Sequence, residues 1–421
     1  MRRPTLGLLL SVTSAVGAMG VSASCASFRT TNAAPTDGGD VTTDAPAAHD
    51  DAAPGDDANP SQVQDGSSDS SFVEPDGSAD SGGSGTVCSQ STCTVTPLIS
   101  NLYGPAALAT DTTYVYWLEV GTGIPQADSE GQFVRLRKDA TCTDRSCVEV
   151  LDQFALSGTF EGQLIYDNLV VVGPDDACYA QSYNAQSEHS IYCFPLSSLT
   201  KTAIDQDFGE CDNLSIGAGS ILWSLASTSA TLSDGSIRVH PLSASDGGKA
   251  PALASARPYP TSVVGDGTGV VWTELGLGDA GGAVNVVALD GGITSLATGR
   301  GGPTAVVEYA GYVYWIDADA RTVSRTARAG GGAVEQIANT DANPFALVVD
   351  PTGVYWASGG LTSPEGSVAH APLVPGGPTT VMMTSVIGIQ ALAVDASKIF
   401  VAAIGGSVNG GGSIVTMPKT R

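Results

Sequence analysis

From residue 94 onward the chain is written in short apolar runs separated by glycine, proline and small polar residues, the texture of brief strands joined by turns. One run stands out: Tyr312-Val313-Tyr314-Trp315, followed by a polar turn and a glycine-rich hairpin around residues 330–332. It recurs. The five tryptophans, Trp117, Trp223, Trp272, Trp315 and Trp356, each close the same kind of strand: TYVYW, SILW, GVVW, GYVYW and GVYW. Two further runs, NLVVV at Val171 and KIFV at Val401, fit the slot without a tryptophan, and the successive spacings are then 54, 52, 49, 43, 41 and 45 residues. Repeats of this length build propellers or solenoids.

The remainder of each unit narrows the choice. An alanine- and valine-rich strand precedes the slot and ends in an acid or glycine, as in PAALATD, PTSVVGD, PFALVVD and QALAVD. A third strand follows it (GQFVRLR, GSIRVHPL, GAVNVVAL, GSVAHAPL), and most units add a fourth, such as CVEVLDQ or GITSLATG. Four short strands repeated seven times predict an all-β chain folded as a seven-bladed β-propeller. In such a ring the second strand of each blade is covered on both faces by its neighbours, so Tyr, Val and Trp can follow one another without polar alternation. The aromatics of the opening run are therefore expected to be packing between blades. The last unit stops at Lys419 after three strands, and Thr94-Val95-Thr96-Pro97-Leu98-Ile99 is a spare strand ahead of the first. Pairing the two closes the ring with an N-terminal strand and removes its exposed edges.

The Tyr-Trp strand resembles that of the propeller family named for its Tyr-Trp-Thr-Asp motif, and more loosely the NHL-type propellers of secreted bacterial proteins. Trp272-Thr273-Glu274 comes nearest to the full tetrad. The resemblance spans residues 94–419 and implies the fold, without the receptor function of that family.

Ahead of the repeats the composition changes twice. Residues 1–25 read as an export signal: Arg2 and Arg3, then an apolar, small-residue core from Leu6 to Val21. The segment ends in Val21-Ser22-Ala23-Ser24-Cys25, which resembles the lipobox of bacterial lipoproteins and implies lipidation at Cys25. Residues 26–87 hold twelve acids (eleven Asp, and Glu74) against the single base Arg29, with almost no large apolar side chain. Such a stretch buries too little to offset its ordering entropy, so it is expected to be a disordered acidic tether. As a flexible coil it would span about 45 Å. Residues 88–421 are then the propeller domain.

The formal net charge of −25 argues against a nucleic-acid partner, which needs a basic footprint. In an exported chain the cysteines are expected to form disulfides. Cys88 with Cys93, Cys142 with Cys147, and Cys178 with Cys193 are the candidate pairs, leaving Cys211, which could also take a partner from these. The four histidines form no metal pair at useful spacing, with His240 and His370 in matching third-strand slots, and no nucleophile elbow or phosphate loop is present. No catalytic residue, metal or cofactor is assigned.

Loop length supplies the candidate site. The connections from second to third strand are expected to be long in the first three blades and short in the fifth. That of blade two carries Asp175, Asp176, Tyr179, Tyr183, Glu188 and His189 and forms the candidate binding loop. The function expected is a lipid-anchored binding module at the bacterial cell envelope, with an unknown protein or glycan partner on the loop-rich face. The alternatives are a propeller lyase, lactonase or glycan hydrolase using the acids that end the inner strands (Asp111, Asp167, Asp266, Glu308, Asp350 and Asp395), and a structural envelope component.

Overall fold

The computed structural model describes residues 94–421 apart from 121–130, 143, 155–168, 184–187, 209–210, 227–232, 245–249, 277–280, 289–290, 342, 360–365, 406–410 and 420–421. The expected signal, Cys25, the acidic tether and the pair Cys88–Cys93 lie outside the described residues.

Seven four-stranded antiparallel sheets form the ring. Strand β1 (Thr96–Leu102) comes first. Blade one is then β2 (Pro105–Thr110), β3 (Tyr114–Glu119), β4 (Gly131–Arg137) and β5 (Glu149–Phe154); blade two is β6 (Leu169–Val172), β7 (Asp176–Tyr183), β8 (Glu188–Pro195) and β9 (Thr202–Phe208). Blade three runs through β10 (Cys211–Gly217), β11 (Ser220–Leu225), β12 (Gly235–Pro241) and β13 (Ala252–Arg257). Blade four follows with β14 (Pro260–Asp266), β15 (Gly269–Glu274), β16 (Gly282–Ala288) and β17 (Ile293–Arg300). Blade five is β18 (Pro303–Tyr309), β19 (Tyr312–Asp317), β20 (Thr322–Ala327) and β21 (Glu335–Asn339), and blade six β22 (Pro344–Asp350), β23 (Gly353–Ser358), β24 (Gly366–Ala371) and β25 (Thr380–Val386). Blade seven has β26 (Ile389–Val394), β27 (Lys398–Ala403) and β28 (Gly412–Pro418) from the end of the chain, and its fourth strand is β1. Thr96 pairs with Thr416 and Leu102 with Gly412, so the ring closes through the first strand as expected. Helix is confined, among the described residues, to one 3-10 turn at Arg145–Cys147.

The apolar core is divided into seven clusters, one in each seam between adjacent blades. This explains the aromatic doublets. Successive strand residues point to opposite faces, and here both faces are seams. Tyr314 therefore packs into the blade five–six seam while Trp315 packs into the blade four–five seam. Tyr116 and Trp117 divide in the same way between the one–two and seven–one seams. Each tryptophan faces the preceding blade and is fully buried or nearly so.

The repeat reading is correct at six slots and wrong at one. Val171 lies in the inner strand β6, not in a second strand. The tight turn that places Asp111 three residues before Tyr114 is formed in blade two by Gly173 and Asp176, since Gly173 N–H donates to Asp176 O as Asp111 N–H does to Tyr114 O. Counting on from that turn, Tyr179 fills the tryptophan slot, and it is fully buried in the blade one–two seam.

The inner strands crowd around the axis, which selects small residues. A Cβ on Gly217 would stand 1.8 Å from the Gly265 carbonyl oxygen of the next blade, so no side chain fits there. Nearby, polar side chains knit the inner strands together: Val263 N–H donates to Asn213 Oδ1 (2.9 Å) and Val306 N–H to Ser262 Oγ (3.1 Å), each across a seam.

Closure by β1 is testable at Ile99, which is buried in the blade seven–one seam. Ile99→Ala is expected to lower the free energy of unfolding by about 3 kcal/mol in denaturant titration. Thr96→Ala, at an exposed position of the same strand, is expected to change it by less than about 0.5 kcal/mol.

Candidate functional site

The residues of the expected binding loop do not come together. Asp176–Tyr183 and Glu188–Pro195 are the paired strands β7 and β8, two residues longer than the six-residue second strands of the other blades. Only residues 184–187 connect them. The misplacement of Val171 makes a hairpin of the blade look like a loop. Asp175 and Asp176 sit at the inner turn, whereas Tyr183 and Glu188 pair with each other at the far end. Seven residues of extended strand separate the two ends, about 23 Å. Tyr179 between them is a core side chain whose hydroxyl donates to Asp152 Oδ2 (2.6 Å), a carboxylate also engaged by Lys201. His189 is buried within the sheet, its Nε2 3.3 Å from Asp205 Oδ2. Burial, with Asp175 beside it, raises the Asp176 carboxyl above the usual range.

Two of the expected disulfides are present. Cys178 and Cys193 are directly opposite in the β7–β8 ladder, and Cys142 joins Cys147 around the 3-10 turn. Cys211 remains a buried thiol, with Sγ 3.7 Å from Asn213 O. His240 and His370 are not in matching slots: His240 pairs with Ile221, two residues before its tryptophan, and His370 with Tyr355, one before. That single step puts them on opposite sheet faces. His370 Nε2 lies 3.0 Å from Thr352 O, and burial holds its pKa below the ordinary histidine value.

The acids that end the inner strands are mostly turn formers. Asp111 Oδ1 accepts from Thr113 N and Tyr114 N, Asp266 Oδ1 from Thr268 N, Asp350 Oδ1 from Thr352 N, and Asp395 Oδ1 from Ser397 N and Lys398 N. This is the local bonding that favours Asp at such turns. Asp167 lies outside the described residues. Three of these acids also bind a cation that follows the third strand of the next blade. Lys138 pairs with Asp395 (2.6 Å) and donates to Asp111 O. Lys419 pairs with Asp350 and donates to Asp395 O (3.0 Å). Arg328 lies 3.4 Å from Asp266 and 2.5 Å from Glu308. Burial works against the Asp395 carboxylate, but Lys138 and the turn N–H groups outweigh it and hold the pKa below the usual range.

Glu308 departs from this pattern. It is one residue short of the turn position, accepts no turn hydrogen bond, and its side chain is only 13% exposed. Its carboxylate meets Arg328, whose Nε lies 2.5 Å from Oε1, in place of the turn N–H groups. Burial, with Asp266 nearby, pushes its pKa up to about 7 against the opposing pull of Arg328.

A second set of ties, at the end of the second strands, had only half a signature in the sequence. Trp272 Nε1 donates to Glu274 (2.6 Å), Trp315 Nε1 to Asp317 (2.9 Å) and Trp117 Nε1 to Glu119 (3.2 Å). Each acid is in turn gripped by an arginine: Arg257 and Arg300 from the preceding blade, and Arg145 from the disulfide-closed turn. The Trp-x-acid spacing was visible; the arginine partner, distant along the chain and in two of the three ties from another repeat, was not.

No family model matches the chain, and no curated protein sequence is similar to it. Solved structures do match. A catalytically inactive virginiamycin B lyase from Staphylococcus aureus with quinupristin superposes with a TM-score of 0.50 at 12% identity, over 77% of this chain and 98% of that one. The tricorn protease gives a TM-score of 0.50 at 10% identity, over 77% of this chain and 34% of that one. At such identities the likeness is one of fold alone, and it agrees with the propeller.

Breaking a tie should be costly because it strands a buried carboxylate. Arg257→Ala and Glu274→Ala are each expected to destabilise by about 3 kcal/mol, and the double variant by clearly less than the sum, in a double-mutant cycle of denaturant titrations. Cys178→Ala/Cys193→Ala is expected to cost about 3 kcal/mol, the loop-closure value for the 15-residue separation.

Proposed function

We propose that this chain is an exported, lipid-anchored propeller that serves as a binding module at the bacterial cell envelope. The observation that carries the reading is the pair of closed disulfides, Cys142–Cys147 and Cys178–Cys193, which belong to an oxidising compartment. The sequence ahead of the propeller is consistent with it: a signal-like start, a lipobox-like end at Cys25 and an acidic spacer. No helix among the described residues is long and apolar enough to cross a membrane, so attachment on this reading comes from lipid at Cys25.

A binding role also suits the way charge is spent. Of the acids that an axial carboxylate site would use, Asp111, Asp266, Asp350 and Asp395 are occupied in turns and in ties between blades, which favours a rigid scaffold over an acid–base centre. On this reading the partner, a protein or a glycan, is met on the face carrying the connections from second to third strand. The hairpin of residues 174–190 is not a separable binding element, because removing it would take away β7 and the buried Tyr179.

The test is intact mass and detergent partitioning of the natively expressed protein beside Cys25→Ala. A lipid-sized mass increment and partition into detergent, both lost in the variant, are expected. A soluble wild-type product cleaved ahead of Cys25 without added mass would overturn the anchor and leave a secreted propeller.

A further inference from the structure

We propose that the seam between blades four and five is a proton-operated latch, in which Glu308 is a second carboxylate on the single cation Arg328 and the seam is tightest when Glu308 carries a proton. Two sister seams carry the same kind of tie with a different partner set. Lys138 joins one carboxylate, Asp395, to one carbonyl, Asp111 O; Lys419 joins Asp350 to Asp395 O. In both, a cation from the third-strand end takes an acid of the preceding blade and a neutral oxygen of its own. Arg328 repeats the geometry with Asp266 of blade four, but its own-blade partner is the carboxylate of Glu308. Arg328 therefore faces two carboxylates, Asp266 half exposed at the turn and Glu308 only 13% exposed in the seam.

Among the described residues, the surrounding elements bring no second cation. From β14 comes Asp266, and from the turn after β20 comes Arg328. Asp350 at the end of β22 is held by Lys419, while Glu274 of β15 and Asp317 of β19 are held by Arg257 and Arg300. A proton is the available neutraliser. With Glu308 protonated, Arg328 pairs with Asp266 and the site is neutral. When the proton leaves, Arg328 is shared between two carboxylates, and the better buried of them, Glu308, has no other cation.

Burial and Asp266 raise the Glu308 pKa from 4.5 to about 7, so the folded protein binds this proton more tightly than the unfolded chain does. A raised carboxyl pKa gives stability that is full below the unfolded value and lost as pH rises towards the folded one. The loss here falls between about pH 4.5 and about pH 7, and local occupancy of the latch changes over around pH 7.

The experiment compares thermal unfolding of the full chain and of Glu308→Gln from about pH 5 to about pH 8. The substituted amide is neutral throughout, so the variant is expected to gain on the wild type as pH rises to about 7 and to hold a constant lead above it. A lead that does not vary with pH would overturn the latch. Should the variant not fold, hydrogen exchange on the wild type decides. Amides of residues 303–317 are expected to open about threefold more readily above pH 7 than those of residues 344–358, after intrinsic rates are divided out. A ratio unchanged across that range would equally overturn it.

Discussion

Every blade of this protein is covered on both faces by another blade, and most of what is unusual in its sequence follows from that. A strand with two buried faces has no solvent side, so each residue along it belongs to one seam or the other. The Tyr-Trp doublets are the clearest result: Tyr355 fills the blade six–seven seam and Trp356 the blade five–six seam. A buried tryptophan contributes on the order of 5 kcal/mol by area, as an upper bound. Its indole N–H must then find an acceptor where no water reaches. Blades one, four and five supply a carboxylate two residues on, and a buried carboxylate requires a cation. In blades four and five the arginine that completes the tie also clamps one repeat to another. Packing thus calls for polarity, and polarity calls for charge.

The exceptions obey the same logic. In blades three and six the acid position holds Leu225 and Ser358, and Trp223 Nε1 and Trp356 Nε1 have no hydrogen-bond partner among the described residues. Arg257 and Arg300 stand three residues before the first residue of the next inner strand. In blades three and six that place is taken by Phe208 and Asp341. Acid and arginine are present together or missing together, as expected if neither is tolerable alone in a seam. Blade two solves the problem differently: Tyr179 sends its hydroxyl directly to Asp152 of the preceding blade.

The fold was legible because its signal is repetitive. Five tryptophans at near-regular intervals, a three-stranded last unit and a spare strand at the start identify a ring of seven blades and the way it closes. The site was much less legible, and one residue accounts for most of the difference. The apolar run Leu169-Val170-Val171-Val172 outweighs Tyr179, which is followed by the polar Gln181 and Ser182, so the slot reads eight residues early. Every inference about a blade-two loop inherits that shift. The turn offers a better guide than hydrophobicity does: Gly173-Pro174-Asp175-Asp176 stands six residues before Tyr179, as Asp111 and Asp266 stand six before Trp117 and Trp272. What no single repeat could reveal is the partner of an acid, because Arg257, Arg300, Lys138 and Lys419 all cross from one blade to another.

Position parity is the remaining step from sequence to chemistry. Asp266, six residues before its tryptophan, turns its carboxylate to the hairpin N–H groups and keeps a pKa below the usual range despite burial. Glu308, seven residues before Trp315, has the other parity and lies in the seam, where burial dominates and raises its pKa. Treated as one class of strand-end acids, the two suggest a carboxylate ring around the axis. Separated by a single step along the strand, one is a turn former and the other a charge trapped between blades. The acids of this propeller are therefore distinguished by register, and a search for chemistry on such a scaffold should begin with those out of step with the repeat.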